Sequence, residues 1–371
     1  MKILKRIVWV SFALLIGAVF ACTPRQQKQA GNTELIADSD SVRLSFAFIG
    51  CNRIAYSDRK KSNASKANVP ALKRIFRELT AMEKKPDLLF FMGDLVLGEK
   101  DTTALNTQLS AWVAQYEDAE FSGIAKSGIE MVAIPGNHEM LFYDEATHNE
   151  FPLKGATEDW LKHMSPYMPK DRNRVPFDSV INGATFSFVR DSIAFVVMNT
   201  DTYNAPAPGE KFGKEGQVPE DWVNAEVRRL ASSPAVKRVF TMGHRPYYVD
   251  GAYDTLHSGF PDGPKVWPTM VEQRVTALLT AHQHKYQRWQ PEGNGTYEII
   301  AGQGGTYSGK DTPRFYGYSL IRVYNSGRAE LITKGWDLPD PTWGAAPDNP
   351  TTIRDSVTLT WSKNKYPFSN L

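Results

Sequence analysis

The chain has 371 residues, 42% of them hydrophobic and 23% charged, with a formal net charge of +2. These values are ordinary for a folded globular protein, and the length suffices for one large domain or two modest ones. So small a net charge excludes the chain-wide basic or acidic character of a nucleic-acid or membrane-surface binder, leaving only a local patch open.

The first residues read as a targeting segment. Lys2, Lys5 and Arg6 precede an apolar stretch from Ile7 to Phe20 that is short for a membrane-spanning helix. Val19-Phe20-Ala21-Cys22 resembles a bacterial lipobox, with Phe20 bulky for that motif. On that reading residues 1–21 are a lipoprotein signal peptide and Cys22 is the lipidated first residue of the mature chain. The other reading is an ordinary signal peptide cut nearby. Thr23 after the cysteine, in place of Asp, favours the outer membrane where the bacterial host has one. Residues 22–43 are polar and read as a flexible tether. Only one other cysteine exists, Cys51. If Cys22 is acylated, Cys51 has no disulfide partner within the chain.

Leu44 to Gly50 alternates and reads as the first strand, ending at Cys51-Asn52-Arg53. Asn68 can cap a helix that has Pro70 in its first turn and Leu72, Ile75, Phe76 and Leu79 on one face. Leu88 to Met92 is a fully apolar strand closed by Gly93-Asp94. Thr102 to Tyr116 has helical spacing, with Leu105, Leu109, Trp112 and Val113 on one side. The strand at Met131 opens into Pro135-Gly136-Asn137-His138-Glu139. The stretch from Met140 to about Asp178 is rich in aromatics and prolines and reads as a long functional loop.

A hairpin is predicted around Arg190-Asp191-Ser192, and a helix after Pro219 with Val223, Val227 and Leu230 on its apolar side. Val236 to Met242 is a strand ending at Gly243-His244-Arg245-Pro246. A second long loop follows, then a helix near Met270 and a strand ending at Ala281-His282-Gln283-His284. Tyr297 to Ala301 is a strand before Gly302-Gln303-Gly304-Gly305, and a closing hairpin joins Tyr318–Tyr324 to Ala329–Thr333. The tail after Leu338, residues 338–371, is expected to pack on the surface of the domain at 44–337. Early strand–helix alternation followed by hairpins argues for an α/β domain of mixed sheets with helices outside.

Asp94, Asn137, His244, His282 and His284 share one pattern: each follows an apolar run. Carboxylate, amide oxygen and imidazole suit hard to borderline metal ions. Ligands of such sheets gather at strand ends. Alone, Gly-Asp or Gly-Asn is ordinary turn chemistry; the ordered set is not. His148, His163 and His257 read as surface histidines of the loops.

Gly93-Asp94, Gly136-Asn137-His138-Glu139, Gly243-His244-Arg245-Pro246 and Ala281-His282-Gln283-His284, in this order, resemble the calcineurin-like metallophosphoesterases. The residues Gln217–Leu230 and Gly302–Gly305 look most like the purple-acid-phosphatase side of that family. The resemblance implies a four-layer αββα sandwich of two mixed β-sheets. It implies two divalent or mixed-valence ions (Fe, Zn or Mn), or one, and a small phosphorylated substrate attacked by a metal-activated hydroxide. A phosphomonoester is favoured. The alternatives are a phosphodiester, including nucleotides or lipid head groups, and a degenerate domain that binds a phosphorylated or glycan ligand without turnover. Carried over by position, Asp94 bridges the ions, Asn137, His244 and His282 complete one site, His284 belongs to the other, and His138 protonates the leaving group.

The first motif departs from the family's Asp-x-His: Cys51 and Arg53 stand there. A thiolate can ligate zinc or iron, whereas a guanidinium cannot ligate and matches phosphate instead. Cys51 is therefore a candidate ligand or an inert buried thiol, and Arg53 a candidate phosphate contact. Arg245 is a phosphate contact or a salt-bridge residue. Leu97 stands where the purple enzymes carry their tyrosine, so no purple colour is expected.

Overall fold

Leu88–Met92 is apolar at every position because both of its faces are covered. Phe90 turns one way and meets Phe195 at 5.0 Å between ring centroids. Phe91 turns the other way and meets Trp112 of the helix Thr102–Glu117 edge-on at 5.3 Å. Side chains of a strand alternate between faces, so this strand lies inside a stack with a second sheet on one side and helices on the other. The computed structural model describes residues 40–61, 63–144, 146–147, 149–174, 183–204, 208, 214–215, 217–249, 252–253, 259–291, 295–306, 315–338, 348–361 and 369–370. The signal peptide, most of the tether, Cys22, His148 and His257 lie outside the described residues.

The first sheet has six strands in the order Thr352–Thr358, Ala329–Asp337, Phe315–Tyr324, Val42–Ile49, Leu88–Met92 and Glu130–Ile134. The last three are parallel; the hairpin side is antiparallel. The second sheet has eight, in the order Ser369–Asn370, Tyr286–Trp289, Tyr297–Ala301, Ala277–Thr280, Arg238–Met242, Ile193–Val197, Phe186–Arg190 and Asn173–Arg174. Its four central strands are parallel.

Phe46 packs edge-on against Phe195 and Phe240 at 5.2 and 5.1 Å, joining the two sheets face to face. On the far side of the second sheet, Ala194, Val196, Met198 and Leu278 meet Val223, Val227 and Leu230 of the helix Glu220–Ala231. They also meet Val266, Trp267 and Met270 of the helix Gly263–Glu272. The layers are therefore helix, sheet, sheet, helix, as the family resemblance implied. Each fully buried phenylalanine of the central layer contributes about 1.5–3 kcal/mol by leaving water.

Local signals hold at the element ends. Asn68 Oδ1 accepts the N–H of Ala71 at 3.3 Å and starts the helix Val69–Thr80. Asp191 and Ser192 have φ of 45° and 68°, the left-handed pair that a two-residue hairpin turn requires. Two expectations change. The stretch after Met140 is not one long loop: it holds a hairpin, Leu141–Asp144 with Asn149–Pro152, and the helix Ala156–Met164. The tail does more than cover the surface, because Thr352–Thr358 is an edge strand of the first sheet. Among the described residues no helix is long and apolar enough to cross a membrane.

Candidate metal centre

Six of the seven parallel strands of the two sheets each lead into one chemistry-bearing residue. Cys51, Asp94 and Asn137 follow the strands Val42–Ile49, Leu88–Met92 and Glu130–Ile134. Asp201, His244 and His282 follow Ile193–Val197, Arg238–Met242 and Ala277–Thr280. Of the seven non-glycine residues with left-handed backbone among the described residues, Cys51, Asp94 and His282 are three, with φ of 58°, 56° and 60°. Such conformations cost about 1–3 kcal/mol each and persist where the surroundings over-determine them. Here they are held by backbone bonds, from Cys51 N–H to Gly93 O at 3.0 Å and from Asn52 N–H to Asp94 O at 2.8 Å. Gly93 and Gly136 are needed for closeness. A Cβ on Gly93 would lie 2.4 Å from His244 Nδ1, and one on Gly136 2.6 Å from Asp94 Oδ1.

Four donor atoms converge. Asn137 Oδ1, His244 Nε2 and His282 Nδ1 are each 3.1 Å from the other two. Asp94 Oδ1 is 3.3 Å from His244 Nε2. His244 gives its Nδ1–H to the Met92 carbonyl at 2.7 Å. In the neutral ring, Nε2 then presents a lone pair to two oxygens that are also acceptors. Asn137 is fixed the same way: its Nδ2–H goes to Glu150 Oε1 at 2.7 Å, which turns Oδ1 inward. Lone pairs set against lone pairs are stabilised by a cation between them, so the donor set fits a metal ion. Burial first, and then the positive charge of Arg245, push the His282 imidazole well below its ordinary value. That keeps it neutral and available as a ligand. Burial alone would raise the Asp94 carboxyl, but His244, His138 and Arg53 outweigh it and hold the group well below the usual carboxylate range.

The other expected site residues surround this cluster. Cys51 Sγ belongs with Asp94 and His244 to a buried group whose ligand atoms lie within 4.8 Å of one another. Burial, and then the Asp94 carboxylate, push its thiol well above the ordinary range, so ionising it would need a cation nearby. Arg53 sets its Nε 3.5 Å from Asp94 Oδ2, on the oxygen that His244 does not face. His138 donates Nδ1–H to the Leu97 carbonyl at 2.5 Å; burial, and then Arg53, push its imidazole down to about 4. His284 is half-buried beside the cluster, pushed down to about 3 by burial and then by Arg53.

Arg245 is committed elsewhere. Its Nε bonds Asp201 Oδ1 at 2.5 Å and its Nη2 bonds Glu150 Oε2 at 2.7 Å. Of the two readings that the sequence left open for Arg245, the observed contacts are those of a salt-bridge residue. His163 lies outside the cluster, but in the helix Ala156–Met164 rather than in a loop, half-buried and bonded to Asn106.

Three acidic residues carry positions that sequence reasoning left without a role. Glu139 is fully buried and accepts the backbone N–H groups of Asp94, Val96 and Gly136 at 2.9, 3.1 and 2.8 Å. It ties the turn after Met92 to the turn after Ile134. Its signal was an acidic residue three places after a helix-opening glycine, the pattern of a capping side chain. Asp201 follows a parallel strand, and the strand-end rule that selected Asp94 applies to it equally. Glu150, held in the aromatic hairpin, had no local signal. Beneath Cys51–Arg53 the Gly-rich loop is pinned by Gly304 N–H to Gly50 O at 3.0 Å and Thr306 N–H to Cys51 O at 2.8 Å.

A sandwich of two mixed sheets with these donors at its strand ends has the architecture of a metallophosphoesterase. The model of the calcineurin-like phosphoesterase family matches residues 44–286, and the chain belongs to that family, one of metal-dependent phosphoric ester hydrolases. Among curated proteins no sequence match is found. Three solved structures share the fold. A purple acid phosphatase, PPD1, from yellow lupin seeds is 14% identical with a TM-score of 0.53, over 86% of this chain and 54% of its own. This chain thus spans about half the length of that phosphatase. PhoD is 12% identical with a TM-score of 0.57, over 90% of this chain and 73% of its own. GAP50, the anchor in the inner membrane complex of Plasmodium, is 15% identical with a TM-score of 0.51, over 88% and 91%.

Proposed function

We propose that this protein hydrolyses small phosphate esters, phosphomonoesters above diesters, with a cation held by Asp94, Asn137, His244 and His282. The observation that carries the reading is the convergence of Asn137 Oδ1, His244 Nε2 and His282 Nδ1 at 3.1 Å. When bound, a divalent ion supplies Lewis acidity towards phosphoryl oxygen and makes water a better nucleophile at neutral pH. The chain's own residues do the rest. Met92 O and Glu150 orient two of the ligands through their second polar atoms, as ligand-orienting partners do in metal sites. Arg53 brings a permanent charge and a planar fork to the phosphate side. With Nδ1–H on Leu97 the neutral His138 ring offers Nε2 as an acceptor. It serves the leaving oxygen as an acid only after Nε2 has taken a proton from water, a state that its value of about 4 makes scarce but strongly acidic.

Cys51 Sγ and His284 are the side chains available for a second ion. The Arg53 guanidinium on Asp94 Oδ2 favours the alternative, in which a fixed positive charge replaces that ion. Metal content decides. Two equivalents that fall to one in Cys51→Ala support a thiolate-ligated second ion; one equivalent in both proteins supports Arg53 as its surrogate. The same departure from the family motif motivates a second reading, a domain that binds a phosphorylated or glycan ligand without turnover. Metal analysis together with an aryl phosphate monoester and the matching diester separates the two. A metal-free protein inactive on both esters would overturn the enzyme.

Residues 1–21 and Cys22 motivate a proposed lipid anchor in a bacterial envelope membrane, with the domain outside the cytoplasm. Cys22→Ser should then release the protein from membranes. No uptake of labelled lipid by the native protein would overturn the anchor.

A further inference from the structure

Next to the donor cluster lies a cavity of about 160 Å3 that the chemistry above does not use. Tyr56, Leu97, Gly98, Phe142 and Tyr143 line it. It abuts the reaction centre directly: the Tyr56 ring is 5.6 Å from the His138 ring, and the Leu97 carbonyl is the group that holds His138 Nδ1. Among the described residues four large hydrophobic side chains are exposed, Tyr56 (41%), Tyr143 (37%), Val189 and Ile353. Two of the four face this one cavity. Scattered exposed apolar side chains need no explanation, but two aromatic rings open at the mouth of a concave site do.

The walls are held in place. Phe142 stacks on Phe151 at 5.7 Å. The Tyr56 ring is flanked by His138 and by the Arg53 guanidinium, 5.6 Å from its centroid. Gly98 N–H is anchored to Gln108 Oε1 at 3.0 Å on the helix Thr102–Glu117. A volume near 150 Å3 accommodates one benzene-sized ring, so this cavity has room for a single ring. The lining carries one charge of each sign, Glu99 and Lys100, and Lys100 pairs with Asp144 at 3.3 Å, so the wall has no net charge to select a charged ring.

We propose that this cavity is the subsite for the organic part of the substrate, and that it takes one uncharged aromatic ring joined to the phosphate by a short linker. The proposal rests on the phosphoesterase reading and names its substrate class. Its position beside His138 puts the ring on the side from which the leaving oxygen departs.

Phosphonates test the subsite without the chemistry. Inhibition by benzylphosphonate and by methylphosphonate is measured on the metal-loaded protein and on Tyr143→Ala and Phe142→Ala, neither of which touches the donor cluster. Benzylphosphonate should bind the parent protein about 10–50-fold more tightly, from burial of the ring and one stacked contact. Each variant should cut that ratio to about threefold or less and leave methylphosphonate binding unchanged. Equal binding of the two phosphonates by the parent, or a ratio that survives both substitutions, overturns the aromatic subsite alone. A parent protein that binds neither phosphonate overturns the phosphoesterase reading along with it.

Discussion

Glu139 offers the sharpest test of how the site is held. Its carboxylate accepts three backbone N–H groups, two from the turn that carries Asp94 and one from the turn that carries Asn137. Burial, and then the Asp94 carboxylate, push the Glu139 carboxyl up to about 7. At neutral pH each bond therefore lies between the about 0.5–1.5 kcal/mol of a neutral acceptor and the about 1.5–3 kcal/mol of a charged one, and a buried donor left unmet costs about 1–3 kcal/mol. The three bonds share one acceptor group and so do not add fully. Glu139→Ala should cost about 4 kcal/mol, which for a chain of this length lowers the melting temperature by about 8 °C at about 2 °C per kcal/mol. Glu139→Gln keeps the shape but turns an amide NH2 towards donors. It should fold, melt between the other two proteins, and bind zinc or manganese about 10–100-fold more weakly, because residues that support metal ligands carry effects of that size. Calorimetric metal titration with a thermal melt reads both quantities. If Glu139→Gln loses stability but binds metal like the parent, the carboxylate is a fold residue and not a support of the site. If it loses neither, the hydrogen-bond reasoning itself is wrong.

Glu150→Ala frees the Asn137 amide while Arg245 keeps Asp201, so metal affinity should fall about 10–100-fold with little change in melting; unchanged affinity would show that Asn137 needs no partner. His138→Ala should lower turnover about 10²–10⁴-fold and leave metal content intact, whereas Asp94→Ala should lose metal and activity together, both read by metal analysis beside an ester assay. Burial raises the Glu298 carboxyl to about 8, against the N–H groups of Tyr247, Tyr248 and Trp289. A raised carboxyl contributes stability that is full below about pH 4.5 and is lost as pH rises through about 8. The melting difference between the parent and Glu298→Gln should therefore move against the parent from pH 5 to pH 9, and a pH-independent difference would refute the assignment.

Most of the donor cluster was legible because each donor closes an apolar strand. Asp94, Asn137, His244 and His282 could be chosen from chain position alone, since parallel strands aim their C-terminal ends at one edge. The same logic fits Asp201, yet Ile193–Met198 reads from sequence as half of a hairpin, and its parallel partner on the other side is a long-range fact. Arg245 shows the complementary limit. Its two carboxylate partners lie 44 and 95 residues away in sequence, and no local pattern announces a pairing across such distances. The hairpin at Leu141–Pro152 was hidden for another reason: its aromatic and proline-rich composition resembles a loop, and the pairing that sets Phe142 opposite Phe151 is seen only across the strands.

The donors come from two sheets that also meet through the phenylalanine layer and through hydrogen bonds such as Gly50 N–H to Ala301 O at 2.9 Å. Asn137 stands on one sheet and His282 on the other, 145 residues apart in sequence. An ion bound to both would act as a rivet through the sandwich, closing a loop whose entropy cost the unfolded chain does not bear. Ion loading would then set mechanical resistance: force applied to pull the sheets apart must break coordination bonds before it reaches the phenylalanine layer. A chelator would convert a brittle, high-force rupture into a gradual peeling.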